Sequence, residues 1–225
     1  MLKFDIITIF PEIFDSYLKE SIIGRAVKKR LIAVGIRNPR DFTASGRGRV
    51  DDRPYGGGPG MVMQIQPIIK AVEFAKSKIK DQKSKIKVIL FSPAGKLFDN
   101  KIAAKLAKNY DNLILICGRY EGVDARLKPV IKGLKLETLE LSAGPYVLTG
   151  GELPAMVLID AVTRRLPGAL GKGESVEERR LGIGVPVYTR PAVFQLEGKK
   201  YRVPRVLLSG DHKKIEEWRK KFPKQ

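Results

Sequence analysis

Cysteine and histidine each occur once in the chain, as Cys117 and His212. One thiol excludes an internal disulfide, and no paired Cys or His stands at zinc-site spacing, so no structural metal is expected. No apolar run approaches the roughly 20 residues that a membrane-spanning helix requires, which excludes an integral membrane protein of that kind. The start of the chain, Met1-Leu2-Lys3-Phe4-Asp5, puts an acid where a signal peptide would have its apolar core, and the expected location is the cytoplasm. Also missing are G-x-G-x-x-G, G-x-x-x-x-G-K-[ST] and G-x-S-x-G, which removes the common phosphate cradles and the serine nucleophile elbow. Cys117 closes an apolar run and reads as a small buried hydrophobe rather than a nucleophile. His212 reads as a local cap or an RNA contact beside the last helix.

What the chain has in excess is positive charge. The net charge is +19 on 225 residues, which points to a polyanionic partner, RNA or DNA ahead of a membrane surface; a densely charged surface of the thermophile kind is the other source. Hydrophobic residues make up 43% of the chain, enough for a buried core in one large domain or a domain with a small appendage.

Periodicity gives the order of elements. Phe4–Phe10 is short and β-branched, Pro11-Glu12 opens a helix, a basic helix spans Ser21–Arg30, and Leu31–Arg37 has strand character. Arg40, Arg47, Arg49 and Arg53 then fall in a Gly-containing loop that suits phosphate contact or a solvated surface equally. Pro67 sits in the first turn of a helix reaching about Lys80. Lys87–Phe91 reads as a buried strand ending at Ser92-Pro93-Ala94-Gly95, Asp99–Lys108 as a crossover helix, and Leu113–Cys117 as the next strand, which makes a βαβ unit with a parallel sheet. Asp124–Ile131 is expected to be helical, Leu134–Leu141 to be a strand, and Leu153–Arg165 to be a helix with Pro154 in its first turn. Leu166–Gly184 is Gly-rich and charged and reads as a linker; beyond it Ser209-Gly210-Asp211 sets an N-cap for a terminal helix carrying Ile215 and Trp218.

Three places look built for a ligand. In the segment Asp51-Asp52-Arg53-Pro54-Tyr55-Gly56-Gly57-Gly58-Pro59-Gly60, the four glycines and two prolines of Pro54–Gly60 can form neither helix nor central strand, and the glycines let backbone approach a ligand closely. Gly118-Arg119-Tyr120-Glu121-Gly122 follows the strand at Leu113, and Gly144-Pro145 and Gly150-Gly151 interrupt the stretch after Leu141. Ligands of open α/β sheets gather where such strands end, and the helix beginning past Gly151 presents amides to a polar or negative group. Asp160 and Arg164 share a helix face, which by spacing alone is an ordinary surface pair.

Taken together, Val50–Met61, Cys117–Asp124 and Tyr146–Met156 resemble the bacterial tRNA (guanine-N1)-methyltransferase family, TrmD, and the likeness continues through Tyr188-Thr189-Arg190-Pro191 and Val206–His212. The resemblance implies a SPOUT-type α/β fold with a deep trefoil knot over residues 1–165, a linker at 166–184, and a small, mostly helical, basic tRNA-binding domain at 185–225. That domain is shorter than the family's, ending soon after Trp218-Arg219. It implies S-adenosylmethionine among three loops, held by Leu90, Phe91, Ser92, Pro93 and Gly95, by Gly118, Arg119, Tyr120, Glu121 and Gly122, and by Ala143, Tyr146, Leu148, Gly150, Gly151 and Pro154. It also implies tRNA as substrate, methylated on N1 of guanine 37, and a homodimer with sites at the subunit interface. Asp51, Arg53, Tyr55, Arg190, Ser209, His212 and Arg219 are expected to contact RNA.

Guanine N1 carries a proton and becomes nucleophilic only as that proton leaves, so the site needs a general base and a cation on O6. Arg164 matches the family's arginine for the second task. For the first, the family has an aspartate in an S-x-x-E-D-S pattern, whereas this chain reads Ser175-Val176-Glu177-Glu178-Arg179-Arg180, with Arg179 at the aspartate's position. Either Glu178 or Glu177 has taken over as base, Glu178 being preferred, or the chain is a weakly active or non-catalytic tRNA-binding relative. Pro145 stands where the family usually has an acid.

Overall fold

Every residue of Asn112–Ile116 is buried, and this strand lies at the centre of the sheet. In the computed structural model, which describes residues 1–43, 48–170 and 185–222, β1 (Leu2–Ile7), β2 (Ile32–Arg37), β5 (Ile86–Leu97), β6 (Asn112–Ile116) and β7 (Glu137–Ser142) form one sheet in the order β2-β1-β6-β5-β7, all parallel. Side chains alternate across it as the two-residue period of a strand requires. Leu113, Leu115 and Cys117 join one apolar layer with Phe4, Ile6, Ile23, Leu106 and Leu158, while Ile114 and Ile116 join the other with Val88, Ile68, Val72 and Ile131. Helices α2 (Ser21–Lys28), α4 (Asn100–Asn109) and α6 (Glu152–Thr163) cover the first face; α3 (Ile65–Ser77) and α5 (Leu127–Gly133) cover the second. Burial on both faces explains why β6 reads as a continuous apolar run.

Several boundaries differ from those expected, each for a local reason. The first strand stops at Ile7, because its partners Arg37 and Ile116 end there. β5 does not end at Phe91: Ser92–Gly95 bulges out, and pairing with β7 resumes at Lys96–Leu141. α5 starts at Leu127 rather than Asp124, whose carboxylate accepts from the Arg126 amide at 2.9 Å and holds a turn instead. β7 starts later than Leu134, because Leu134 caps α5 and Lys135 takes a φ of 58°. A two-residue ladder, β3 (Asp51–Asp52) with β4 (Val62–Met63), brackets the Gly-rich loop.

The chain divides into two compact units, Met1–Ala169 and Leu170–Gln225. The second carries a hairpin absent from the sequence expectation, Val193–Leu196 paired antiparallel with Lys199–Arg202. Its turn, Glu197-Gly198, has positive φ at both residues, the geometry of a tight hairpin. Helices Arg205–Leu208 and His212–Lys220 follow, and the Asp211 side chain accepts from the Lys214 amide at 3.1 Å, the N-cap read from sequence. Among the described residues no helix is long and apolar enough to cross a membrane.

Candidate functional site

At the C-terminal ends of β5, β6 and β7 the loops enclose a cavity of about 400 Å³, within the usual range for a small-molecule site. It is lined by Leu90, Phe91, Ser92 and Pro93 from β5 and its bulge, by Gly118, Arg119, Tyr120, Glu121 and Gly122 after β6, and by Ala143, Tyr146, Leu148, Gly150, Gly151 and Pro154 after β7. Of the residues expected to hold the cofactor, Gly95 alone lies outside the lining. It packs on β7 instead, where an added Cβ would come within 2.6 Å of the Leu141 backbone. Sequence reasoning gave no site role to Asp124 and Thr149, although both fall in the family-like segments, and missed Lys128 and Glu140, which no local motif marked; all four also line the wall.

The loop after β6 is held from two sides. Its backbone is stitched to the segment after the Gly-rich loop: Met63 N donates to Gly122 O at 2.9 Å, Glu121 N to Met61 O at 3.0 Å, and Asp124 N to Met63 O at 3.1 Å. Gly122 has a φ of 119°, a conformation a side chain would oppose, so the turn needs glycine there. On the other side, the Gly151 amide donates to Gly118 O at 2.9 Å, and a Cβ on Gly151 would lie 2.6 Å from Cys117 Cα. Only glycine permits that approach of the two loops.

A buried ionic network fixes Arg119. Its Nε donates to Glu152 Oε2 at 2.9 Å, its Nη1 donates to Thr149 O at 3.3 Å, and its guanidinium lies 4.6 Å from the centre of the Phe10 ring. Glu152, only 1% exposed at the first turn of α6, accepts a second bond from Thr8 Oγ1 at 2.8 Å. An acid at a helix start is stabilised by the helix dipole as well as by the arginine. Beneath it Cys117 is fully buried; burial pushes its thiol well above the ordinary value, Glu152 adds to the rise and Arg119 opposes it. The thiol is not a nucleophile.

The far wall carries its own charges. The hydrogen bond from Lys128 holds the Glu140 carboxyl below the usual carboxylate range, against its partial burial, and Ser92 adds to the effect. The Asp124 carboxyl is likewise held low by its hydrogen bonds with Arg126, 2.6 Å from Nη2. The cavity thus combines apolar surface, open backbone polar groups and acids that stay ionised at neutral pH.

Arg164 is elsewhere. It is the half-buried C-cap of α6, outside the cavity lining, whereas Gly151 and Pro154 at the other end of that helix line it. A helix of 12 residues is about 18 Å long, and that length separates Arg164 from the end of α6 that lines the cavity. Asp160, one turn before Arg164, accepts a hydrogen bond from Tyr17 Oη, so it is not the simple surface partner that spacing suggested. Burial, with Asp160 reinforcing it, pushes the Tyr17 hydroxyl up to about 12. Glu177, Glu178 and Arg179 lie outside the described residues, as does Arg47. Of the expected RNA contacts, Asp51 sits in β3, Arg53 is exposed, and Tyr55 is 98% exposed at the loop tip. Arg190, Ser209, His212 and Arg219 belong to the second unit; Arg190, Ser209 and His212 are exposed, and Arg219 is half-buried.

The chain matches the family model described as tRNA (Guanine-1)-methyltransferase TrmD over residues 2–225. It is 50% identical to the tRNA (guanine-N(1)-)-methyltransferase of Dictyoglomus turgidum over 224 residues, 98% of this chain and 84% of that protein. The protein of the same name from Mannheimia succiniciproducens is 50% identical over 220 residues, 96% of this chain and 81% of its own length. That from Trichormus variabilis is 45% identical over 221 residues, 97% and 84% respectively.

Proposed function

The chain belongs to the tRNA (guanine-1)-methyltransferase family, and we propose from that membership that it methylates N1 of guanine 37 in tRNA, with S-adenosylmethionine as donor in the three-loop cavity. The observation that carries the reading is the convergence of all three loops on one cavity of about 400 Å³. The lining suits such a donor: Leu90, Leu141 and Leu148 offer apolar surface to a flat base, the glycine-rich turns offer backbone donors and acceptors, and Glu121, Asp124 and Glu140 face a ligand that carries positive charge. When bound, the donor supplies an electrophilic methyl group on a sulfonium sulfur.

The remaining work falls to the chain's own residues. Glu178 takes the N1 proton of guanine, with Glu177 as the alternative base. Arg164 donates to O6 as negative charge grows there. Because Arg164 and the cavity stand at opposite ends of α6, the working unit is a homodimer in which α6 of one copy runs antiparallel to that of the other, so that each cavity meets the partner's arginine. An apolar surface is available for it: Leu153 and Val157 on α6 are 55% and 50% exposed, and Phe10 and Ile13 are also exposed. The path from β7 across the Ser92–Gly95 bulge to Gly151, whose amide reaches Gly118 beyond β6, supports a knotted chain of the SPOUT kind. The second unit and the Asp51–Gly60 loop grip tRNA, and the enzyme works in the cytoplasm.

The test is methyl transfer to tRNA transcripts carrying guanine or adenine at position 37. Transfer to guanine alone is expected. Transfer to neither, with tRNA still bound, would overturn the reading and favour a binding relative marked by Arg179. Glu178→Gln should lower turnover at least ~100-fold, the scale of a lost general base; undiminished turnover would remove Glu178 from that role.

A further inference from the structure

The parallel sheet has a second edge, where the strands start, and it faces away from the cavity. The register aligns Leu2 with Ile32, Lys3 with Asn112, and Ile86 with Asn112, so the residues preceding these strands form one strip. Five strands at about 4.8 Å spacing make it roughly 19 Å wide, and about 15 Å of strand separates it from the cavity. The strip is densely basic: exposed Lys29 and Arg30 precede β2, Lys85 precedes β5, Lys108 precedes β6, and Lys135 precedes β7. The acids there are already engaged. Asp81 accepts from the Lys83 amide at 2.9 Å, Asp111 from the Lys85 amide at 2.9 Å, and Glu137 from Lys87 and Tyr110, both at 2.9 Å.

Helix dipoles account for part of this charge, since cations are favoured in a helix's last turn, where Lys29 and Lys78 stand as C-caps of α2 and α3. They do not account for Lys80, Lys83 and Lys85, which lie in the connection beyond α3, past the last turn where that attraction acts. Like charges gathered on one exposed connection repel each other, and a polyanion relieves the repulsion. A nucleic-acid duplex presents one phosphate charge per roughly 1.7 Å of axis, so a strip of this width meets on the order of ten.

We propose that the strand-start edge is a second RNA-binding face, gripping phosphates of the bound tRNA outside the anticodon arm that presents its guanine to the cavity. The proposal rests on the tRNA reading above and adds where the rest of the molecule is held. The contacts are to phosphates, so they add affinity without reading sequence.

The test is a variant with Lys78→Gln, Lys80→Gln, Lys83→Gln and Lys85→Gln, its binding followed by fluorescence anisotropy across a salt series, with full-length tRNA and with the isolated anticodon stem-loop. Full-length tRNA should bind at least ~10-fold more weakly, with a log–log salt slope shallower by about 3, while stem-loop affinity and kcat at saturating tRNA stay as in the unsubstituted protein. The stem-loop arm controls for the general loss of charge. Unchanged affinity and slope for full-length tRNA would overturn the proposal, as would an equal loss on both RNAs. Binding is read without catalysis, so an absence of methyl transfer by the unsubstituted protein would count against the activity and not against this face.

Discussion

Glu152 shows how much of the site depends on single side chains. It is buried, its partners are Arg119 and Thr8, and Glu152→Gln leaves the guanidinium without its counter-ion. Since Arg119 keeps 19% side-chain exposure, the cost should fall below that of a fully buried pair, roughly 2–3 kcal/mol, read as a lower urea midpoint at constant m-value; an unshifted midpoint would show the pair to be idle. Tyr17 offers a pH test. Its hydroxyl is raised, so the stability it contributes is complete below the ordinary value of about 10 and is lost as pH climbs through about 12. An ultraviolet titration should show one phenol ionising last, and Tyr17→Phe should abolish that step; if the last step persists in the variant, the Asp160 bond is not what holds the proton. The sequence named the glycines and Arg119 because unusual composition is visible locally. It gave Glu152 no role, because partners 33 and 144 residues away leave no trace in spacing.

The βαβ unit from Lys87 to Cys117 and its parallel pairing were readable because buried runs bounded by turn residues allow few pairings. What could not be read was the interruption of β5, since Ser92-Pro93-Ala94-Gly95 has the composition of a strand end and only pairing with β7 resumes the strand. The hairpin around Glu197-Gly198 was hidden by the prolines that flank it, Pro191 and Pro204, and by its few apolar residues. α6 is legible in both senses: its apolar face outward, through Leu153 and Val157, is more than a helix of a lone domain needs. Leu153→Glu with Val157→Glu should therefore shift the protein to monomer in analytical ultracentrifugation while S-adenosylhomocysteine still binds in calorimetry. A variant that stays dimeric would place the subunit contact on another surface.

At the scale of the whole molecule, the cavity lies beside Gly151 and Arg164 stands at the opposite end of the same helix, and in the proposed function these are two halves of one chemistry. Composition announced a polyanion partner and motifs announced the cavity, but neither states how far apart the folded chain holds its parts, because distance is a property of the helix between them. On the proposed reading, a second copy resolves the separation. Subunit mixing tests this most directly: Leu148→Arg fills the cavity from an exposed position, Arg164→Ala removes the cation, and each variant alone should be inactive in methyl transfer to tRNA. Random exchange of the two should restore activity to about a quarter of the unsubstituted level, since half the dimers are mixed and one of their two sites is whole. Mixed dimers with no more activity than either parent would contradict a site shared between subunits.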